Sequence, residues 1–288
     1  MILVHVSALA LDIFVSLLGI PVIFLPFFAG YGLGLLIHID VPSSVLLYFG
    51  IILMCASVVS CVIFLENRYQ RVVQAMENGP RWKVIARALN FSLQYVWAFG
   101  FMIPVYMMSP DQDSTREYLM KNDLSCISEK LQNPRFYCLR LEPDLLMVLF
   151  AMTFMINHIQ IFYYVHATRK ALNRRKSLVS PTTFALQEKL CKILAFQAFI
   201  PLAYFGIPLC YYFFSMCTGY FNQALNNISF LIVASHGGFS SFVTIAIHRP
   251  YRMAVFKVLH ISGSENQVRG TVVFAVPSKT RSRLTTHI

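Results

Sequence analysis

Charge is what this chain has least of. Only 13% of its 288 residues are Asp, Glu, Lys or Arg, and just 13 of them are acidic, whereas soluble domains carry about a quarter charged residues. No charge falls within 13–39, 41–65, 88–110, 145–168 or 193–248, which are runs of 27, 25, 23, 24 and 56 residues. A chain so depleted cannot clothe a water-facing surface, which excludes a soluble enzyme, a secreted module and a nucleic-acid binder. Catalytic signatures are missing as well: there is no H-E-x-x-H, no G-x-S-x-G and no phosphate-binding loop. No cofactor or metal is expected, and an intramembrane enzyme is the minor reading. The opening residues lack the basic start and small-residue cleavage site of a signal peptide.

What the chain does have is apolar length: 57% of its residues are hydrophobic and 14% aromatic. A helix needs about 20 apolar residues to cross a hydrocarbon core of roughly 30 Å. Backbone amides in lipid must also be satisfied within the segment. The charge-free runs therefore predict an all-α, polytopic transmembrane helical bundle with six spans, near 3–28, 43–65, 89–109, 145–166, 188–214 and 226–248. The longest run is divided at 215–223, where Thr218, Gly219, Asn222 and Gln223 break the apolar pattern. Met1–Leu11 alone would reach only about 17 Å as helix, so the first run is taken as one span, with Gly30, Gly32 and Gly34 in a loop after it.

The remaining charges sort by side. Segments 66–87, 167–192 and 249–288 hold 19 Lys/Arg against Glu66, Glu77, Glu188 and Glu265, a net +15. Segments 29–42, 110–144 and 215–225 hold 5 positives against 8 negatives, a net −3. Lysine and arginine accumulate on the cytoplasmic side, so the carboxyl terminus is expected inside, facing acidic lipid headgroups. Residues 1–261 are expected to form the bundle and 262–288 a disordered cytoplasmic tail. The long outer loop 110–144 contains Cys126 and Cys138, which a disulfide would join on an oxidising face; two unpaired thiols are the alternative. The other five cysteines read as small packing residues.

Several polar residues need a reason. His5 and Asp12 lie two helical turns apart, on one face of the first span. An intramembrane carboxylate points into the bundle, as an ion or proton site or as a hydrogen-bond anchor between helices. His158 and His236 have no partner at metal spacing and read as packing or pocket residues. Glu66-Asn67-Arg68-Tyr69 ends the second span, where Arg68 either snorkels to the interface or trades ion-pair partners with Glu66 as a latch. Ser180 followed by Pro181 has the order of an N-cap and a first helical residue. Pro201 and Pro208 offer bends in the fifth span. Pro250-Tyr251-Arg252 closes the sixth, and Met253, Phe256 and Leu259 suggest a short interfacial helix beyond it. The aromatic residues Phe199, Tyr204, Phe205, Tyr211 and Tyr212 include pocket candidates, although an aromatic belt accounts for them equally.

Taken in order, His5…Asp12, Ala29-Gly30-Tyr31-Gly32-Leu33-Gly34, Glu66-Asn67-Arg68-Tyr69, Pro110-Asp111-Gln112, Ser180…Thr183…Gln187, Gln197…Pro201, Gln223…Asn227, Ser235-His236-Gly237-Gly238 and Pro250-Tyr251-Arg252 resemble the nematode serpentine receptors of class H. These are chemoreceptors related to rhodopsin-like receptors. The resemblance implies a small-molecule or odorant receptor in the plasma membrane of sensory neurons, with a heterotrimeric G protein as its partner and no nucleic acid. It places the G-protein-coupling residues at Glu66, Arg68, Tyr69, Pro250, Tyr251 and Arg252. It also makes the first span here similar to the family's second helix, so that six spans correspond to helices two through seven, with no counterpart of the first helix before Met1. Two features depart from the wider rhodopsin-like pattern: Asn67 separates Glu66 from Arg68, and Pro250-Tyr251 replaces the Asn-Pro-x-x-Tyr spacing. A secondary transporter or a non-signalling, shortened membrane protein is the alternative, although a transporter would bring internal repeats and several charges at mid-membrane depth.

Overall fold

A computed structural model of the chain describes residues 2–74, 81–121, 132–139, 144–247 and 249–258. Two compact units emerge, Met1–Thr244 and Ile245–Ile288.

The first unit is a helical bundle capped at one end by a small sheet. Its elements run α1 (Ile2–Ile13), a π-helical turn (Phe14–Leu18), β1 (Pro21–Phe24), β2 (Ala29–Gly32), a 3-10 turn (Leu35–Ile39), α2 (Ser43–Gln74), α3 (Arg81–Gly100), α4 (Ile103–Met107), α5 (Gln112–Lys121), β3 (Tyr137–Cys138), α6 (Asp144–Arg174), α7 (Pro181–Thr218) and α8 (Gln223–Ile247). Among the described residues, five helices are long and apolar enough to cross a membrane, and a shorter apolar helix covers Leu3–Leu18. At 1.5 Å per residue, the 32 residues of α2 extend roughly 48 Å, well beyond the bilayer core. Helix α2 is the most buried of the five and packs against α1, α3, α6 and α7. By contrast, one flank of α3 presents Trp82, Ile85, Leu89, Leu93 and Val96 outward, as a lipid-facing surface does.

The first span differs from the helix expected over 3–28. Helix ends at Leu18, and residues 21–32 form an antiparallel hairpin with Pro21 opposite Gly32 and Phe24 opposite Ala29. Pro21 has no amide to continue a helical ladder, and Ile20 just before it turns to a φ of 37°. The hairpin answers its own backbone hydrogen bonds, so apolar residues need not be helical there. Gly30, expected in a loop, sits within β2 where a Cβ would run into the Val22 carbonyl; close strand approach is what glycine permits here. β3 adds to β2 through Ala29–Cys138 and Gly30–Tyr137. Gln112 holds β3 in place, its Oε1 accepting from Cys138 N at 2.8 Å and its Nε2 donating to Cys138 O at 3.1 Å.

Helix α7 starts as its sequence suggests: Ser180 caps it, its hydroxyl accepting from Thr183 N at 3.2 Å, with Pro181 following. Polar pairs tie neighbouring helices inside the bundle. Gln94 on α3 donates to Gln160 on α6 at 2.8 Å, Trp97 Nε1 to Thr153 at 3.0 Å, and Gln197 on α7 to Thr244 on α8 at 3.1 Å. Apolar burial does not drive helices together in lipid, so such bonds, worth about 1 kcal/mol each, and close packing carry the association.

In the second unit, α8 ends at Ile247 and a further helix, α9, spans Arg249–Val258, in the place of the short helix expected after Pro250. The tail 262–288 and Cys126 lie outside the described residues.

Candidate functional site

The space between the helices is concentrated beneath the sheet. A cavity of about 150 Å³ is walled by Leu11 and Phe14 from the first span, Met54, Cys55 and Val58 from α2, Asn157 and His158 from α6, Phe205, Pro208 and Tyr212 from α7, and Phe230 and Val233 from α8. Pro21, Ile23 and Phe28 of the hairpin close it from above. Its position follows from the local folding. The hairpin tip carries Leu25 and Phe28 into the apolar cluster formed by α2, α3 and α6. Gln223 at the start of α8 donates to the Ile23 carbonyl at 3.1 Å, which ties the lid to the bundle.

The chamber is almost wholly apolar, and its polar groups have definite states. Thr153 accepts from Trp97 and donates to Leu149 O at 2.8 Å. The Asn157 amide nitrogen donates to Thr153 O at 2.8 Å, while its Oδ1 is buried without a partner. His158 Nδ1 lies 2.6 Å from the Phe154 carbonyl, and its Nε2 is likewise buried and unpartnered. Sequence did not single out Asn157 among its apolar neighbours, whereas His158 reads there as a packing or pocket residue and lines the chamber. Of the five aromatic candidates on α7, Phe205 and Tyr212 line the chamber. Phe199 pairs edgewise with Phe162, Tyr204 stacks on Phe239, and the Tyr211 hydroxyl donates to Asn226 Oδ1 at 2.8 Å.

A second, smaller cavity of about 40 Å³ lies deeper and is more polar, bordered by His5, Ser57, Gln197, Pro201, His236 and Ser240. His5 and Asp12 do not meet His236 as a ligand set. His236 packs its ring 4.7 Å from that of Phe205. The Asp12 carboxylate lies against Gly237 and Gly238 of α8, within reach of their amides, and any Cβ at Gly237 would overlap it. Among the described residues, no three His, Cys, Asp or Glu side chains gather as a metal would require.

The far end of α2 carries an ion pair that spacing alone does not reveal. Glu66 is only 3% exposed, and its Oε2 accepts from Arg87 Nε of α3 at 2.6 Å. A second guanidinium nitrogen of Arg87 donates to Asn67 Oδ1, and Gln70 donates to Glu66 Oε1 at 3.3 Å. Arg68 is not in this cluster: its guanidinium sits 5.5 Å above the Phe64 ring. The Tyr69 ring is 6.1 Å from that of Tyr164 on α6. In the second unit, Arg252 donates to the Ala246 carbonyl at 2.9 Å, and Tyr251 is exposed beside it on α9.

Outside the membrane-spanning segments, Asp111 caps α5, its Oδ2 accepting from Ser114 N at 3.0 Å. That bond, with a further one from the Ser114 side chain, holds the carboxyl below its ordinary range. Burial of Tyr137, on the strand that completes the lid, pushes its phenol up. Cys138, on the same strand, is buried, its Sγ 3.6 Å from the Phe27 carbonyl.

Compared with known families, residues 1–261 match the family model described as serpentine type 7TM GPCR chemoreceptor Srh. Searches of curated proteins and of solved structures find no match.

Proposed function

This chain belongs to the Srh family of serpentine-type seven-transmembrane chemoreceptors, a multi-pass membrane receptor family, and on that premise we propose that it senses a small molecule in the chamber under the sheet and signals through a heterotrimeric G protein. The observation that carries this reading is the chamber itself: apolar, lidded by the hairpin and bordered by five helices at once. Ligand sites are mostly apolar cavities with a few placed polar groups. A ligand there touches α2 at Met54, Cys55 and Val58, and Glu66 lies eight residues further along the same helix, about 12 Å away by rise. Small shifts of α2 against the ligand therefore bear directly on the Glu66–Arg87–Asn67 cluster. A ligand moves such an equilibrium only by its difference in affinity between the two states.

In this reading the Arg87 pair fastens the resting state. Arg68, Tyr69 and the basic segment 169–176 face the cytoplasm, where the G protein docks. The plasma membrane of sensory neurons is the expected setting, with the carboxyl tail inside. The test is a G-protein reporter assay on cells expressing the full chain, exposed to a panel of small apolar compounds. Filling the chamber with Cys55→Phe is expected to abolish any response while surface expression persists. A response undiminished in that variant would place the ligand elsewhere.

A further inference from the structure

The connection between α6 and α7 places a hydroxyl in a charge setting that the chain does not repeat. Arg174-Arg175-Lys176-Ser177-Leu178 contains the sequence's single Arg-Arg pair, set three and two residues before a serine. No Asp or Glu falls between 167 and 187, so no acid nearby in the chain offsets it. Segment 66–87 has no Ser or Thr, and of the hydroxyls in 167–192 only Ser177 has arginine at both preceding positions. The fold presents this run. Helix α6 ends at Arg174 and α7 begins at Pro181, which leaves Ser177 in a short connecting turn. Arg174, Lys176 and Ser177 are exposed, and Leu178 is 71% exposed. Ser180 and Thr183, by contrast, are engaged in the helix cap, their hydroxyls 2.9 Å apart. The turn is held by backbone bonds from Lys176 to Asn173 at 3.2 Å and from Leu178 to Arg175 at 2.9 Å, and a surface turn of that kind opens at small cost.

Paired arginines ahead of a hydroxyl suit a protein kinase whose substrate groove carries carboxylates. Each guanidinium can donate two parallel bonds to a carboxylate, and kinases sort substrates by such charge patterns. We infer that Ser177 is a phosphorylation site for a protein kinase that selects basic sequences, with Arg174 and Arg175 as the recognition pair and ATP as the phosphoryl donor. The Ser177 Oγ attacks the γ-phosphorus of ATP, and the bond from that phosphorus to the bridging oxygen breaks. ADP leaves, and the hydroxyl proton passes to the kinase's catalytic carboxylate. The phosphate brings about −1.5 to −2 at pH 7, so the 174–176 run falls from +3 to roughly +1. It also competes for Arg175, whose guanidinium donates to the Val72 carbonyl near the end of α2 at 3.4 Å; a phosphate accepts two parallel bonds from a guanidinium, and at full charge. The inference rests on the cytoplasmic placement of this connection, where ATP is available, and not on the chamber.

The experiment uses the full chain in lipid nanodiscs, which leave both faces open, with ATP and magnesium. Two enzymes serve as probes: the catalytic subunit of cyclic-AMP-dependent protein kinase, which selects basic sequences, and a casein kinase that selects acidic ones. Phosphate is located by fragmentation mass spectrometry. Ser177 is expected to be modified to near completion by the first enzyme and left bare by the second. Arg174→Gln should slow the first enzyme at least about tenfold, the scale of one lost charge-assisted hydrogen bond, and Ser177→Ala should remove the label at that position. Phosphate on other hydroxyls while Ser177 stays bare would overturn the site and leave the ligand and G-protein readings untouched. An Arg174→Gln rate equal to that of the wild-type chain would overturn the recognition pair. Ser177 modified in nanodiscs, but an epitope tag in the same connection stained on intact cells, would overturn both the site and the sidedness it rests on. The substituted positions are exposed, and the wild-type map decides the matter even if a variant is lost.

Discussion

At the scale of single residues, the most consequential contact is the one between Glu66 and Arg87. A carboxylate that is 3% exposed is tolerable because a guanidinium and the Gln70 amide answer it. Removing one partner of a buried pair typically costs about 3–5 kcal/mol, because the other charge is stranded. Arg87→Ala is therefore expected to lower the thermal unfolding midpoint and raise ligand-independent signalling. Combining it with Glu66→Gln should recover much of the stability, since no charge is then left unpaired. Thermal scans of the two variants side by side check this, and a double variant as unstable as Arg87→Ala would show that the charge is not the cause. Neighbouring letters suggested that Glu66 and Arg68 trade partners. Arg87 is 21 residues away on the next helix, and sequence spacing reports only neighbours on the same helix. A milder residue-scale effect concerns pH. The Asp111 carboxyl is held below its ordinary range by Ser114, so its contribution to α5 is present above the ordinary Asp value of about 4 and is lost as pH falls through the lower, folded value. Amide exchange in the first turn of α5 should accelerate over that acidic window and be insensitive to it in Asp111→Asn.

At the scale of elements, proximity between α1 and α8 depends on a missing side chain. The Asp12 carboxylate occupies the place where a Cβ at Gly237 would stand, so Gly237→Ala is expected to push the two helices apart and reduce folded, surface-expressed protein. Adding Asp12→Ala makes room and should restore expression partly; no recovery would mean that glycine serves another purpose. The same pair explains why Asp12 was legible only in part. Its depth in an apolar run marked it as pointing inward, as an ion site or a helix anchor, but the element it meets, α8 at Gly237, lies more than two hundred residues away. The hairpin at 21–32 was not legible at all. Its residues are apolar enough for a span, and the distinction lies in Pro21 stopping the helix and in a partner strand more than a hundred residues away at Tyr137–Cys138.

At the scale of the whole molecule, the charge partition predicts a sidedness that can be measured. Epitope tags in the 110–143 loop and at the carboxyl terminus should report opposite sides of the membrane in intact and permeabilised cells. Tags on the same side would remove the basis for placing Arg68 and Tyr69 opposite a cytoplasmic partner.

Composition and the spacing of charges were enough, without coordinates, to establish a multi-pass helical bundle and the positions of its long helices, and the Ser180–Pro181 order marked the start of α7. Each of these depends on local chemistry: how many apolar residues cross a bilayer, which backbone groups a residue can satisfy, where cations are tolerated. The lid, the Glu66–Arg87 pair and the chamber emerged only in the tertiary structure. They are made by residues from distant segments, and a cavity is a property of the space left between side chains rather than of any stretch of chain.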